Sequence, residues 1–398
     1  MKLVYAISPR EVGAVTQQLL DRFMAQHPDI EVEWLKVPGV PGEQHSLYVN
    51  QLTGASSTPD VIALDVIWPG EFAANGWVAP LDTYFTRDDL RDFLPGMLGA
   101  AVQNGKIYAI PLYINGLHLY YRKDLLAKYG FEPPRTWEEL IHQAQVIVQG
   151  EKDPNLRGFV SMWAKIEGLF MNYLQFLWGA GGRFFGPDGR VAVNGPEGVK
   201  ALQTMVDMIY RYRIAPESVL TYRPDDARVL FQQGRAVFMV VQDFVWPMLT
   251  GPDSPVKDKV DFTRVPYFEG HAEAKTTALG GWLLAINANS RHKKEAAELI
   301  RFLTSYEAML RTAVVTGNLP ARSSVYRDPE LTRAFPAALK QFADFEVGDV
   351  RPSAVAGPKY PQLSEIMQVE VTSALYRRKT PQQALNDAAS RIEALLGR

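Results

Sequence analysis

The sequence predicts an α/β fold with a parallel sheet, divided between two domains. Apolar strand patterns alternate with helical patterns near the N-terminus, which is typical of parallel α/β proteins. The chain has 398 residues, more than one small hydrophobic core holds together. No repeat and no low-complexity linker separates two halves, so we expect interleaved lobes that share crossing strands.

The first 64 residues follow the order βαβαβ. We predict strands at 3–7, 30–35 and 61–64, and helices at 11–27 and 46–52. Connections of this kind are right-handed and produce a parallel sheet. A further strand is predicted at 106–113, where an internal proline suits a sheet edge or a crossing point.

The later elements follow from capping signals and apolar spacing. Thr136 and Glu139 have the spacing of a capping box, and residues 182–193 have the pattern of a hairpin. We expect segment 340–361 to be irregular and two helices to end the chain. The last begins at Thr380-Pro381, where Thr380 and Gln383 have the spacing of a second capping box. The remaining predicted elements are helices at 196–212, 225–233, 293–304 and 306–315, and strands at 236–241 and 277–286.

Composition excludes several classes of function. The net charge of −2 argues against a nucleic-acid-binding surface. The absence of cysteine excludes thiolate catalysis, disulfides and cysteine-bound metals. The six histidines form no metal-binding motif, and no phosphate-binding loop, dinucleotide fingerprint or nucleophile elbow occurs, so we expect no metal, no cofactor and no enzyme activity.

Targeting leaves two readings open. No apolar run approaches the roughly 18 residues of a membrane span. A strand pattern begins at residue 3 without a preceding signal-peptide pattern. The protein is therefore expected to be cytosolic, or to be a mature form that lacks its targeting segment.

Segment 58–82 carries the strongest functional signal. An apolar strand ends on a single carboxylate, Asp65, and Trp68 follows it closely. Ligands of open α/β sheets bind beyond the carboxyl ends of the strands. A carboxylate accepts hydrogen bonds from sugar hydroxyls, while an aromatic ring covers an apolar sugar face. The alternative is that Asp65 only caps the following helix.

Six segments together resemble the solute-binding proteins of carbohydrate ABC transporters, of the maltose-binding type. The similarity is greatest to the trehalose/maltose-binding proteins of thermophiles. The segments lie at 59–82, 106–140, 229–238, 253–260, 277–286 and 360–366, in the order expected for that family. The resemblance implies a type II periplasmic-binding-protein-like fold, in which crossing hinge strands join two α/β lobes around a ligand cleft. It predicts an N-terminal lobe of 1–112 plus 276–318 and a C-terminal lobe of 113–275 plus 319–398.

The resemblance also implies a set of sugar-binding residues. Asp65 matches the family's hydroxyl-binding carboxylate, and Trp282 matches its stacking ring. Arg351 matches the family's sugar-binding arginine, which lies in an irregular segment near the C-terminus. Gly281 lets the backbone approach the sugar closely. Glu11 and Tyr113 match further ligand positions, and Trp68 is then expected to support the Asp65 turn.

Departures from the relatives leave the identity of the sugar open. The relatives carry an acidic residue at Asn115, a basic residue near Gln44 or His45, and a Trp-Pro-Tyr segment where this chain has Gln242, Asp243 and Phe244. Asn115 both donates and accepts hydrogen bonds, whereas a carboxylate only accepts. We still expect the residues at these positions to contact the ligand, namely Gln44, Asn115, Gln242 and Phe244. Trp246 is a further candidate, for the stacking area lost at Gln242.

The resemblance implies a binding protein that delivers a disaccharide or other α-glycoside, such as trehalose, maltose or sucrose, to a membrane permease. We expect a monomer in the periplasm or outside the cell, with a lipid-anchored precursor as an alternative, no bound cofactor and no nucleic-acid partner. Two other classes remain open: a binding protein for a polyamine or organophosphate, and a glycoside hydrolase with paired carboxylates.

Overall fold

The structure is a computed structural model that describes residues 1–346 and 348–398, except for the side chains of residues 10 and 11. The strands are β1 (Lys2–Ile7), β2 (Glu31–Lys36), β3 (Val61–Asp65), β4 (Val102–Gln103), β5 (Lys106–Ile107), β6 (Ile110–Arg122), β7 (Arg157–Ser161), β8 (Ala236–Gln242), β9 (Val260–Thr263), β10 (Ala278–Ile286), β11 (Leu319–Pro320) and β12 (Asp349–Val350).

The helices in the described part of the chain are α1 (Pro9–Gln26), α2 (Pro41–Thr53), α3 (Pro69–Ala74), α4 (Pro95–Ala101), α5 (Lys123–Lys128), α6 (Trp137–Glu151), α7 (Glu167–Gly179), α8 (Pro196–Tyr210), α9 (Pro224–Gln232), α10 (Trp246–Thr250), α11 (Lys293–Leu303), α12 (Tyr306–Thr316), α13 (Pro329–Ala334), α14 (Ala338–Glu346), α15 (Ser353–Ala356), α16 (Tyr360–Leu375) and α17 (Pro381–Leu396).

The chain forms two compact units. The first contains Met1–Asn115, Leu279–Glu346 and Ser353–Pro358, and the second contains Gly116–Ala278, Val347–Pro352 and Lys359–Arg398. The chain therefore passes from one unit to the other five times, and β6 and β10 each contribute residues to both.

The sheet of the first unit has the order β2-β1-β3-β10-β6, with β11 also on β6. β1 pairs in parallel with β2 and β3, as the βαβαβ pattern predicts. β10 pairs antiparallel with β3. The carboxyl end of β3 therefore lies beside residues that follow it by more than 200 positions in the sequence.

The second unit has a smaller mixed sheet, in which β6 pairs antiparallel with β8 and β9, and β8 pairs in parallel with β7. Helix α7 packs with α8 and α16, and α16 with α17. Both predicted capping boxes, at Thr136 and Thr380, are present. These boxes pair backbone donors that the helix would otherwise leave unbonded.

Three expectations need correction. The predicted strand at 106–113 is interrupted at Tyr108 and Ala109, and its second part continues to Arg122. Segment 340–361 is not uniformly irregular, because α14 extends into it and β12 and α15 lie within it. The predicted C-terminal lobe included 319–346, but this segment belongs to the first unit, where Leu319 pairs with Ile114 of β6.

Candidate functional site

Asp65 is the last residue of β3 and lies directly opposite Trp282 in the antiparallel register of β10. The strands are joined there by a hydrogen bond of 3.0 Å from the Val66 amide to the Gly281 carbonyl. Asp65 is a partly exposed residue, and its carboxylate accepts a hydrogen bond from the Ile67 amide at 3.3 Å. The pairing thus brings together the predicted hydroxyl-binding carboxylate and the predicted stacking ring, although 217 positions separate them in the sequence (282 − 65).

A cluster of aromatic rings supports Trp282 from within the first unit. The Trp68 ring meets Trp282 edge to face at 5.5 Å, and it stacks on Phe72 at 6.1 Å. Trp68 and Trp282 are each 4% exposed. Such edge-to-face and offset contacts hold rings in defined orientations, so Trp68 acts as packing for the ring beside Asp65.

No pattern in the sequence indicates the pair formed by His45 and Glu71. The His45 Nε2 atom lies 2.7 Å from the Glu71 carboxylate, and the imidazole meets Trp68 edge to face at 5.2 Å. Glu71 lies in the first turn of α3, where the helix dipole favours a negative charge. Position 45 stands out in the sequence only for a difference in charge from the relatives, and no local pattern links it to Glu71.

Gly281 occupies a position that only glycine fits. Its φ angle is 140°, and a Cβ atom built there lies 2.3 Å from the Tyr113 carbonyl oxygen. Tyr113 itself is 1% exposed, whereas Asn115, two residues further along β6, is partly exposed. Gly281 therefore allows β10 and β6 to approach closely beside Asp65.

Two other predicted ligand residues of the first unit behave differently. Gln44 is 1% exposed, and its amide nitrogen donates to the Tyr48 hydroxyl and the Ala63 carbonyl oxygen. It therefore packs α2 against the sheet, and its predicted contact with the ligand stays a prediction. Glu11 lies outside the residues whose side chains are described.

In the second unit, Gln242 ends β8, and Phe244 and Trp246 follow it with partly exposed side chains. Trp246 stacks on Tyr120 at 6.3 Å and meets Phe262 edge to face at 5.0 Å. Both partners belong to strands of the unit's own sheet. Trp246 is thus held by the sheet while part of its side chain remains exposed.

Asp243, between Gln242 and Phe244, was not predicted as a functional residue. It is 6% exposed, and its carboxyl group accepts hydrogen bonds from the backbone amides of Gly116 and Phe244. Burial raises the pKa of Asp243 well above its usual range, because desolvation outweighs these hydrogen bonds.

We expect Asp243→Asn to stabilise the protein at neutral pH, because the amide keeps an acceptor for the backbone without a buried charge. The Asp243 carboxyl group has a higher pKa in the folded protein than in the unfolded chain, where it is about 3.9. Its protonated form therefore contributes fully to stability below pH 3.9, and this contribution is lost as the pH rises through the pKa of the folded state. The free energy of unfolding of the variant should therefore exceed that of the unaltered protein by on the order of 1 kcal/mol at pH 7 and should equal it near pH 3.5. Denaturant unfolding at both pH values measures the difference, with exposed Asp253→Asn as the control. An equal gain at both pH values would contradict this explanation.

Arg351 lies in the second unit with only 4% of its side chain exposed. Its Nη1 atom donates to the Glu167 carboxylate at 3.0 Å. The hydroxyl groups of Tyr360 and Ser364 donate to the same carboxylate. Arg351, the predicted sugar-binding arginine, is therefore a buried, ion-paired side chain and not a mobile surface group.

A surface pocket of about 530 Å³ lies elsewhere in the second unit, between residues 188–194 and helix α17. It contains none of the predicted ligand residues, and no aromatic ring lines it. Without a ring to cover an apolar sugar face, this pocket lacks the chemistry expected of a sugar site.

Neither a metal-binding cluster nor a membrane-spanning helix occurs among the described residues. No group of three or more histidine, aspartate or glutamate side chains is arranged to hold a metal ion in this part of the chain. No helix in the same residues has the length and apolarity needed to cross a bilayer.

Comparison with known proteins supports the resemblance seen in the sequence. The family model described as "Bacterial extracellular solute-binding protein" matches residues 6–310. A relative from Deinococcus radiodurans, described as a probable ABC transporter-binding protein, is 33% identical over 371 residues, which cover 92% of this chain and 87% of the relative.

Solved structures agree in fold. The maltose-bound MalE3 of T. maritima has a TM-score of 0.88 and 38% identity, covering 99% of each chain. A solute-binding protein of Thermotoga lettingae TMO with bound α-D-tagatose has a TM-score of 0.84 and 26% identity, covering 100% of each chain. The predicted type II binding-protein fold with two α/β lobes is thereby confirmed. Family members of this kind are non-enzymatic components of ABC transport. This chain belongs to the bacterial extracellular solute-binding protein family.

Proposed function

We propose that this protein binds a neutral sugar, most simply an α-linked disaccharide such as maltose, trehalose or sucrose, and delivers it to the permease of an ABC importer. The observation that carries the proposal is the pairing of Asp65 with Trp282 across β3 and β10. A carboxylate beside an indole ring matches the two faces of a sugar, because hydroxyl groups donate to the carboxylate while C–H groups cover the ring. The maltose and tagatose in the two similar structures support the same ligand class.

The ligand contacts that we propose are those of Asp65, Tyr113, Asn115, Gly281 and Trp282 in the first unit, and of Gln242, Phe244, Trp246 and Arg351 in the second. Two members of the first set are almost entirely buried, since Tyr113 is 1% exposed and Trp282 is 4% exposed. Glu11 and Gln44 remain predictions from the sequence resemblance alone.

An organophosphate ligand receives less support from the structure. Binding a phosphate needs cationic groups or helix N-termini that are available to it. The only cation among the proposed ligand residues, Arg351, already donates to the Glu167 carboxylate. A neutral polyhydroxylated ligand matches this balance of charge better than an anion does.

A thermal-shift screen and calorimetry with maltose, trehalose, sucrose, tagatose, spermidine and glycerol 3-phosphate test the proposal. A sugar at 100 times its Kd should raise the free energy of unfolding by about 2.7 kcal/mol. Binding of the phosphate or the polyamine in the absence of any sugar binding would overturn it. Recovering the disaccharide intact by chromatography distinguishes binding from hydrolysis.

Trp282 makes a separate prediction that fluorescence can measure. We expect Trp282→Phe to reduce the sugar-induced change in tryptophan fluorescence and to weaken binding by about tenfold, since a smaller ring covers less of the sugar. Trp77→Phe is the matched control, because Trp77 packs edge to face on Phe72 in the same unit and is not a proposed ligand residue. A full fluorescence change in the Trp282 variant would place that ring outside the sugar site.

A further inference from the structure

Glu167, whose side chain is 29% exposed, is the common acceptor of three buried side chains in the second unit. Its carboxylate accepts from the Arg351 guanidinium and from the hydroxyl groups of Tyr360 and Ser364. Gln368 extends the cluster by donating to the Ser364 hydroxyl at 2.9 Å. The side chains of Arg351, Tyr360 and Ser364 are at least 96% buried.

Local structure explains why a carboxylate is stable at this position. Glu167 is the first residue of α7, a helix of 13 residues, so its charge lies at the positive end of the helix dipole. Tyr360 and Ser364 lie one turn apart on α16, which packs against α7. The two helices therefore fix the carboxylate before any ligand arrives.

The ion pair changes what Arg351 offers to a ligand. A free arginine side chain is long and mobile, and its ordering opposes binding. The pair with Glu167 fixes the guanidinium and compensates its positive charge. The nearby Lys165 is compensated too, because its ammonium group lies 2.6 Å from the carboxylate of Glu365.

We propose that Glu167 is a positioning and specificity-determining residue that acts through Arg351. It orients the guanidinium toward ligand hydroxyl groups and, by neutralising the positive charge, selects neutral sugars over phosphorylated or carboxylated ones. The inference rests on the proposed role of Arg351 in sugar binding.

Glu167→Gln tests both parts of the proposal with a matched pair of ligands, maltose and maltose 1-phosphate, titrated by calorimetry. The variant keeps the shape of the side chain but leaves the positive charge of Arg351 uncompensated. We expect affinity for maltose to fall about tenfold and affinity for maltose 1-phosphate to rise about tenfold. Glu365→Gln is the matched control, since it makes the same change in charge beside Ser364 without contacting Arg351.

If the role of Glu167 were purely structural, Glu167→Gln would lower the affinities for both ligands in the same proportion. That result would overturn the proposal. Unchanged selectivity in Glu167→Gln, or an equal change of selectivity in Glu365→Gln, would also overturn it. A second variant, Ser364→Ala, loosens the carboxylate while keeping its charge. It should weaken maltose binding without any gain for the phosphorylated sugar, and it serves if Glu167→Gln fails to fold.

Failure of the proposed function gives a different pattern. If the unaltered protein binds no sugar in the screen, the sugar-binding proposal fails. The charge argument is then tested by inorganic phosphate and maltose 1-phosphate alone, where a gain of binding in Glu167→Gln supports it and the absence of any gain overturns it.

Discussion

Asp65→Ala should weaken sugar binding by about 2–3 kcal/mol, which corresponds to a loss of roughly 30- to 150-fold in affinity. Hydrogen bonds from hydroxyl groups to a carboxylate are stronger than neutral ones, and the alanine leaves the sugar hydroxyls without that partner. Isothermal titration with the best sugar from the screen measures the loss. The sugar affinity of Asp65→Asn should lie between those of the unaltered protein and Asp65→Ala, because the amide retains one acceptor oxygen but not the charge.

Asp29→Ala is the control for this experiment. Asp29 is exposed and precedes β2, so it lies at the opposite edge of the parallel sheet from the carboxyl end of β3. Because Asp65 also accepts from the Ile67 amide, unfolding has to be measured beside binding. Unchanged affinity of Asp65→Ala for every bound sugar would remove Asp65 from the site and leave only its role at the start of the following turn.

Gly281→Ala should destabilise the protein by about 3–6 kcal/mol. Two costs add at this position: a φ angle of 140° that other residues rarely adopt, and a Cβ atom 2.3 Å from the Tyr113 carbonyl oxygen. The obstacle is backbone and cannot rotate away. Denaturant-induced unfolding provides the measurement.

Two glycines of the first unit separate these costs. Gly76 has a φ angle of +69°, and no atom lies within 4 Å of the position that an added methyl group would take, so Gly76→Ala should lose only about 1 kcal/mol. Gly42 lies in α2 with neither a positive φ nor a close atom, and alanine there should be neutral or slightly stabilising. A loss at Gly281 no larger than that at Gly76 would show that β10 and β6 move apart to accept the methyl group.

Local signals in the sequence predicted a large part of the fold. The βαβαβ order identified the parallel pairing of β1 with β2 and β3, because periodicity and chain order suffice for that inference. The capping boxes at Thr136 and Thr380 were predictable because their hydrogen bonds span only three residues. The strand ending at Asp65 was recognisable from its apolar run alone.

Burial was not predictable at several candidate positions. A glutamine in an amphipathic pattern is usually exposed, yet the Gln44 amide is enclosed between α2 and the sheet. Arg351 and Asp243 are likewise charged residue types that the tertiary packing encloses. Whether such side chains are enclosed depends on neighbours distant in sequence, which no local pattern identifies.

By itself, the sequence determined the α/β class, the family and the position of Asp65 at the end of a strand. Only the tertiary structure decided that Trp282 lies opposite Asp65, that His45 pairs with Glu71, and that Glu167 holds Arg351 across 184 positions of sequence. The physical reason is the range of the interactions. Helix caps and strand patterns are set by residues a few positions apart, whereas strand register and buried ion pairs form only when the whole chain closes around them.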